Sequence, residues 1–71
     1  MNNYFSAANK LKVRARELGM LDQVNEIIEI EKELNIVHKM VASRSVIEGK
    51  IDKARNTMLR INAQIEERRA Q

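Results

Sequence analysis

Apolar residues recur along most of this chain at alternating intervals of three and four, the spacing of one face of an α-helix. In the middle of the chain, this apolar seam consists of Ile27, Ile30, Leu34, Val37 and Val41. In the C-terminal part, a second seam consists of Ile47, Ile51, Ala54, Met58, Ile61 and Ile65. The pattern predicts two long helices, each with a heptad seam of the kind that coiled coils use.

The register of the two seams breaks in the stretch VASRSVIE, residues 41–48. Continuing the first seam would place Arg44 and Glu48 among apolar residues, which disfavours one regular helix. A stutter in a continuous helix explains the break, and so does a turn. Ser45, followed three residues later by Glu48, fits a capping box at the start of a new helix. We therefore favour the turn.

A chain that doubles back at this turn pairs its two seams layer by layer. Ile27 then lies opposite Ile61, and Leu34 lies opposite Ala54, which matches a large side chain with a small one. Charge favours the same pairing, because residues 19–35 hold five acids and one lysine, whereas residues 51–71 hold five bases and three acids. Exposed ion pairs contribute only ~0–1 kcal/mol each, so they select the register more than they stabilise it.

A shorter apolar stripe precedes the hairpin and predicts a third helix. It consists of Tyr4, Ala8, Leu11, Ala15 and Leu18. Gly19 can close this helix in the left-handed conformation, and Asp22 can cap the next one. The sequence predicts helices at about 6–18, 23–42 and 46–69. We expect a single all-α domain over residues 1–71, an antiparallel, coiled-coil-like hairpin with a short N-terminal helix, closed as a three-helix or oligomeric bundle.

Composition limits the chemistry open to this chain of 71 residues, which has no cysteine and one histidine. Disulfides and thiolate metal sites are excluded, and one histidine cannot build a metal site alone. We expect no cofactor, no metal, no small-molecule substrate and no enzymatic activity. No apolar run reaches the roughly 18 residues of a membrane span, and the N-terminus lacks the pattern of a signal peptide. We expect a cytoplasmic protein that does not bind membranes.

Several apolar residues lie outside the hairpin seams and are our candidates for binding a partner. They are Leu21, Val24, Ile28, Ile36 and Leu59. The N-terminal helix can cover part of this strip within the chain, or a second copy can cover it. We favour a homo-oligomer, because a short helix with two alanines in its stripe buries little area. The leading hypothesis is a small adaptor, inhibitor or regulator that binds another protein.

The N-terminal helix also carries a basic cluster, which supports an alternative function. The cluster KLKVRAR has four positive charges in seven residues, and the chain has a net charge of +3. Cations around a docked helix can bind phosphates. The candidate residues for nucleic-acid binding are Lys10, Lys12, Arg14, Arg16, Arg68 and Arg69. Short all-helical chains are common among phage and mobile-element accessory proteins, which is a background expectation and not a result of these residues.

Overall fold

The computed structural model describes residues 2–71, which form three helices joined by two short connections. These are α1 (Asn2–Glu17), α2 (Leu21–Lys39) and α3 (Arg44–Ala70). The predicted all-α class is confirmed. Each helix begins earlier than the sequence predicted, and the largest difference is at α1, which begins at Asn2 and not near Ser6.

The chain reverses between α2 and α3, as the break in the seams predicted. Polar contacts between the two helices define their antiparallel register: Gln23 Nε2 donates to Gln64 Oε1 at 3.4 Å. Near them, the Arg60 guanidinium forms an ion pair with the Glu26 carboxylate. These contacts place residues 23–27 of α2 beside residues 60–64 of α3, within two residues of the predicted register. The structure therefore brings the acidic helix against the basic one.

Both seams are buried along most of the hairpin. The buried seam residues are Ile27, Ile30, Leu34 and Val37 of α2 with Ala54, Met58, Ile61 and Ile65 of α3. The predicted layer of Val41 opposite Ile47 is wrong, because α2 ends at Lys39 and the backbone is extended at Met40. Val41 is consequently fully exposed in the connection, and Ile47 is only half-buried.

Helix α1 packs against the open end of the hairpin and contacts both other helices, α2 more extensively than α3. Its stripe faces the core, where Ala8, Leu11 and Ala15 are buried. Lys12 Nζ lies 2.7 Å from Glu31 Oε1, an ion pair that joins α1 to α2. One chain thus closes a three-helix bundle that measures 43 × 18 × 15 Å.

The starts of α2 and α3 differ from the predicted caps. Ser45 was expected to cap α3, but this helix begins two residues earlier than predicted, after Ser43, and Ser43 makes no side-chain cap hydrogen bond. Glu48 instead accepts a hydrogen bond from Arg44 Nε at 2.8 Å. Asp22 does not cap α2 but lies in its first turn. A carboxylate there still interacts favourably with the helix dipole.

Gly19 ends α1 in the way that the sequence predicted. Its φ is +71°, in the left-handed region, where a Cβ atom is unfavourable. The amide of Met20 donates to the carbonyl of Ala15 at 2.8 Å, and that of Gly19 donates to the carbonyl of Arg16 at 3.1 Å. This pair of bonds is a Schellman motif, and it turns the chain so that α2 runs back along α1.

Replacing Gly19 with alanine should therefore destabilise the fold through the backbone alone, since no atom beyond its chain neighbours lies within 4 Å of a Cβ built there. We expect the Gly19→Ala variant to lose about 1–2 kcal/mol of unfolding free energy. Gly49 is the matched control, because it lies within α3 with equal space around it. Gly49→Ala should gain about 0.5–1 kcal/mol. Urea denaturation followed by circular dichroism measures both, and equal effects of the two substitutions would contradict this assignment.

Candidate interaction groove

A groove runs between α1 and α3 on one side of the bundle, and we call it the α1–α3 groove. Its apolar residues are Tyr4, Leu11, Met58 and Leu59, and its volume is about 370 Å³. Leu11 and Met58 are buried, and Tyr4 is half-buried. Leu59 is 61% exposed although it lies beside the core. The floor and walls of the groove therefore include apolar surface that is open to solvent.

Cations line both sides of the α1–α3 groove. Lys10 and Arg14 come from α1, and Arg55 comes from α3. Arg55 Nη2 lies 3.0 Å from Asp52 Oδ1, so its charge is partly compensated. Within the described part of the chain, Lys10 and Arg14 form no ion pair, and no carboxylate lines the groove. The groove thus combines apolar surface with uncompensated positive charge.

A second groove, between α2 and α3, has a different charge pattern. Lys50 and Lys53 of α3 line it opposite the acids of α2, and Ile30 and Ala54 contribute apolar surface. The acids are Glu26, Glu29 and Glu33. Positive and negative side chains therefore compensate one another across this groove. The contrast sets the α1–α3 groove apart, because no carboxylate lines it opposite Lys10 and Arg14.

The predicted partner-binding residues do not form one strip. Val24, left uncovered by the hairpin seams, is 6% exposed because it packs in one core with residues of α1, so it is not accessible to a partner. Ile28 is partly buried against the same core. Leu21 and Ile36 are exposed on α2, and of the predicted residues Leu59 alone lines the α1–α3 groove. Helix α1 takes the place that we had assigned to a second copy, and self-association stays a prediction.

The predicted nucleic-acid-binding residues are also divided. Lys10 and Arg14 line the α1–α3 groove, whereas Lys12 pairs with Glu31 on the opposite flank of α1. Arg16 and Arg68 are exposed. Arg69 Nη1 lies 3.6 Å from Glu66 Oε1. Two of the candidate cations therefore already have acidic neighbours, and the structure does not gather all six on one surface.

Most acids of α2 have cationic partners. Glu31 pairs with Lys12, Glu26 pairs with Arg60, and Glu29 Oε1 lies 3.3 Å from Lys32 Nζ. Among residues 2–71, the His, Asp and Glu side chains form no group of three that could hold a metal ion. No helix in the same range has both the length and the apolar character needed to cross a bilayer.

Sequence reasoning missed part of the groove, namely Tyr4, Arg55 and Asn62 as lining residues. A signal for α3 was present, since residues 55, 59 and 62 follow helical spacing on the flank of the seam. The spacing along α1 also indicates its flanks, because Lys10 and Arg14 fall on one side of the apolar stripe and Lys12 on the other. The sequence pattern does not predict on which side of the hairpin α1 packs, and the groove depends on that side.

Comparison with models of protein families, with curated proteins and with solved structures found no match to this chain.

Proposed function

We propose that this chain is a small non-enzymatic interaction protein, an adaptor, inhibitor or regulator, that binds a protein partner in the α1–α3 groove. The observation that carries the proposal is Leu59, which is 61% exposed within a groove lined by further apolar residues. Burying a leucine side chain contributes about 1.5–3 kcal/mol. A partner that covers Leu59 gains the part of that contribution that corresponds to its exposed surface, without any rearrangement of the core.

The groove also has the features of a protein-binding surface beyond one leucine. Tyr4 offers a large ring with a polar hydroxyl, and arginine and tyrosine are common where partners bind most tightly. The apolar centre is flanked by polar and charged residues, the arrangement of a typical interface. Its two walls are helices of a closed bundle, so little conformational entropy is lost when a partner binds.

A photo-cross-linking amino acid at position 59 tests the proposal in the cells that make this protein. The matched control carries the same group at Ile36, which is exposed on α2, away from the groove. A protein trapped from position 59 but not from position 36 is then purified and mixed with the chain. The proposal requires that this protein binds the unmodified chain, that Leu59→Asp abolishes binding and that Ile36→Asp preserves it. Binding that survives Leu59→Asp would overturn the proposal.

Nucleic-acid binding is the second candidate, supported by the exposed cations Arg16 and Arg68 together with Lys10 and Arg14. Phosphate binding predicts an affinity for generic DNA or RNA that falls steeply with the logarithm of the salt concentration. The absence of binding at low salt would remove this candidate.

A further inference from the structure

We propose that the α1–α3 groove binds an acidic amphipathic helix, an inference that rests on the proposed function and specifies the partner's chemistry. The groove's lining includes Lys10, Arg14 and Arg55 and no carboxylate. Of these, Lys10 and Arg14 have no ion-pair partner within residues 2–71. A segment that places carboxylates beside these two cations and apolar side chains on Leu59 satisfies both features of the groove.

The length and shape of the groove fit a helix. Its lining on α1 extends from Asn3 to Arg14. Eleven residue steps of an α-helix correspond to about 16 Å, or about three turns. A partner helix of that length presents apolar anchors at positions i, i+4 and i+7 on one face, which is a common mode of recognition between a helix and a groove. Carboxylates on the flanks of that face would then lie near the cations.

A second copy of this chain is a poorer occupant. In a symmetric dimer the same patch of both copies meets, so Lys10 and Arg14 of one chain would face the same cations of the other. Such like-charge contacts are unfavourable. A nucleic acid satisfies the cations but not Leu59, whose exposed aliphatic surface gains little from a phosphate backbone. Charge and apolar surface together therefore favour an acidic protein segment.

Three synthetic helical peptides of about 14 residues, four turns, test this inference. All carry leucines at the anchor positions, and the flanking positions are glutamate, glutamine or lysine. Fluorescence anisotropy measures the affinity of each peptide for the full chain at low and at physiological ionic strength. We expect the glutamate peptide to bind most tightly, the glutamine peptide more weakly and the lysine peptide not at all.

Paired substitutions locate the binding site. Lys10→Gln with Arg14→Gln should weaken binding of the glutamate peptide about tenfold, because the double substitution removes both cations that its glutamates would pair with. Arg16→Gln with Arg68→Gln removes the same net charge outside the groove and should change the affinity less than about twofold. Leu59→Asp should abolish binding. Because all these side chains are exposed or at the rim, circular dichroism should show that the variants remain folded.

The other outcomes overturn the inference in distinguishable ways. Equal binding of the glutamate and glutamine peptides, sensitive to Leu59→Asp, would refute the acidic partner and leave the proposed function intact. Failure of all three peptides would refute the inference, while the cross-linking experiment at position 59 would still decide the proposed function. Binding of duplex DNA or RNA that depends on Lys10 and Arg14, without binding of the glutamate peptide, would identify nucleic acid as the occupant.

Discussion

Replacing Ile61 with alanine is expected to remove about 2–5 kcal/mol of unfolding free energy, one of the two largest effects that we predict. Ile61 has no exposed surface and lies at the centre of the core between α2 and α3. Its truncation removes apolar burial and leaves a cavity that the long helices cannot easily close. A bundle of this size is rarely more stable than about 3–5 kcal/mol, so the variant should lose most of its stability and unfold at a much lower urea concentration.

Leu59→Ala is the matched control, because it makes the same kind of truncation two residues away on the outer side of α3. Leu59 is largely exposed, so its loss should cost less than about 0.5 kcal/mol. Urea denaturation monitored by circular dichroism measures both variants. If Ile61→Ala costs no more than Leu59→Ala, the assignment of the buried face of α3 is wrong.

The second large effect is expected at Ala8, which is fully buried where α1 packs on the hairpin. Ala8→Glu places a carboxylate in that interface with no cation assigned to it. An uncompensated buried charge costs about 3–5 kcal/mol, so α1 should detach from the hairpin or the whole chain should unfold. If the hairpin survives, detachment of α1 uncovers Val24 and Ile28. Such a variant should then self-associate, because the uncovered hairpin exposes the apolar strip that a second copy could cover.

The neighbouring substitution Asn9→Glu is the control for helix propensity and charge, since Asn9 is exposed on the same helix. It should leave both stability and molecular mass unchanged. Denaturation measures the stability of each variant, and light scattering over a range of concentrations measures its mass. A stable Ala8→Glu variant that behaves like Asn9→Glu would show that α1 does not pack on the hairpin in this way.

The hairpin was predictable because its seams are long and regular. Each seam repeats over several heptads, and a slip of the register would move Ile27 or Ile61 out of the core. The acidic and basic arms favour the same antiparallel pairing. In the structure, the Glu26–Arg60 ion pair joins the two arms in this arrangement. Agreement among periodicity, charge and chain reversal is typical of sequences that specify one structure.

The ends of the helices were less predictable, because local signals there compete. The capping-box pattern favoured Ser45 over Ser43, but the helix begins after Ser43, and Glu48 pairs with Arg44. The heptad pattern extends to Val41, but α2 ends before it, so the seam could not reveal the end of the helix. Gly19 was predictable because only one residue type readily adopts the left-handed conformation at a helix end.

The groove depends on a choice that the heptad pattern leaves open. A third helix can lie on either side of a helical hairpin, and each choice covers a different set of off-seam residues. Here α1 covers Val24 and part of Ile28 and leaves Leu59 exposed. The position of α1 also determines where its cations lie. Lys12 contacts Glu31 of α2, whereas Lys10 and Arg14 lie at the groove.

The distance between spin labels at Asn25→Cys and Ala63→Cys tests the central claim, that α2 and α3 fold back on each other within one chain. Both positions are exposed, and the chain has no cysteine of its own to label. With labelled protein diluted in unlabelled protein, the labels should be no farther apart than the bundle's 18 Å width plus their own side chains. A distance near 57 Å, about that of an unbroken helix, would contradict the fold and the groove that depends on it.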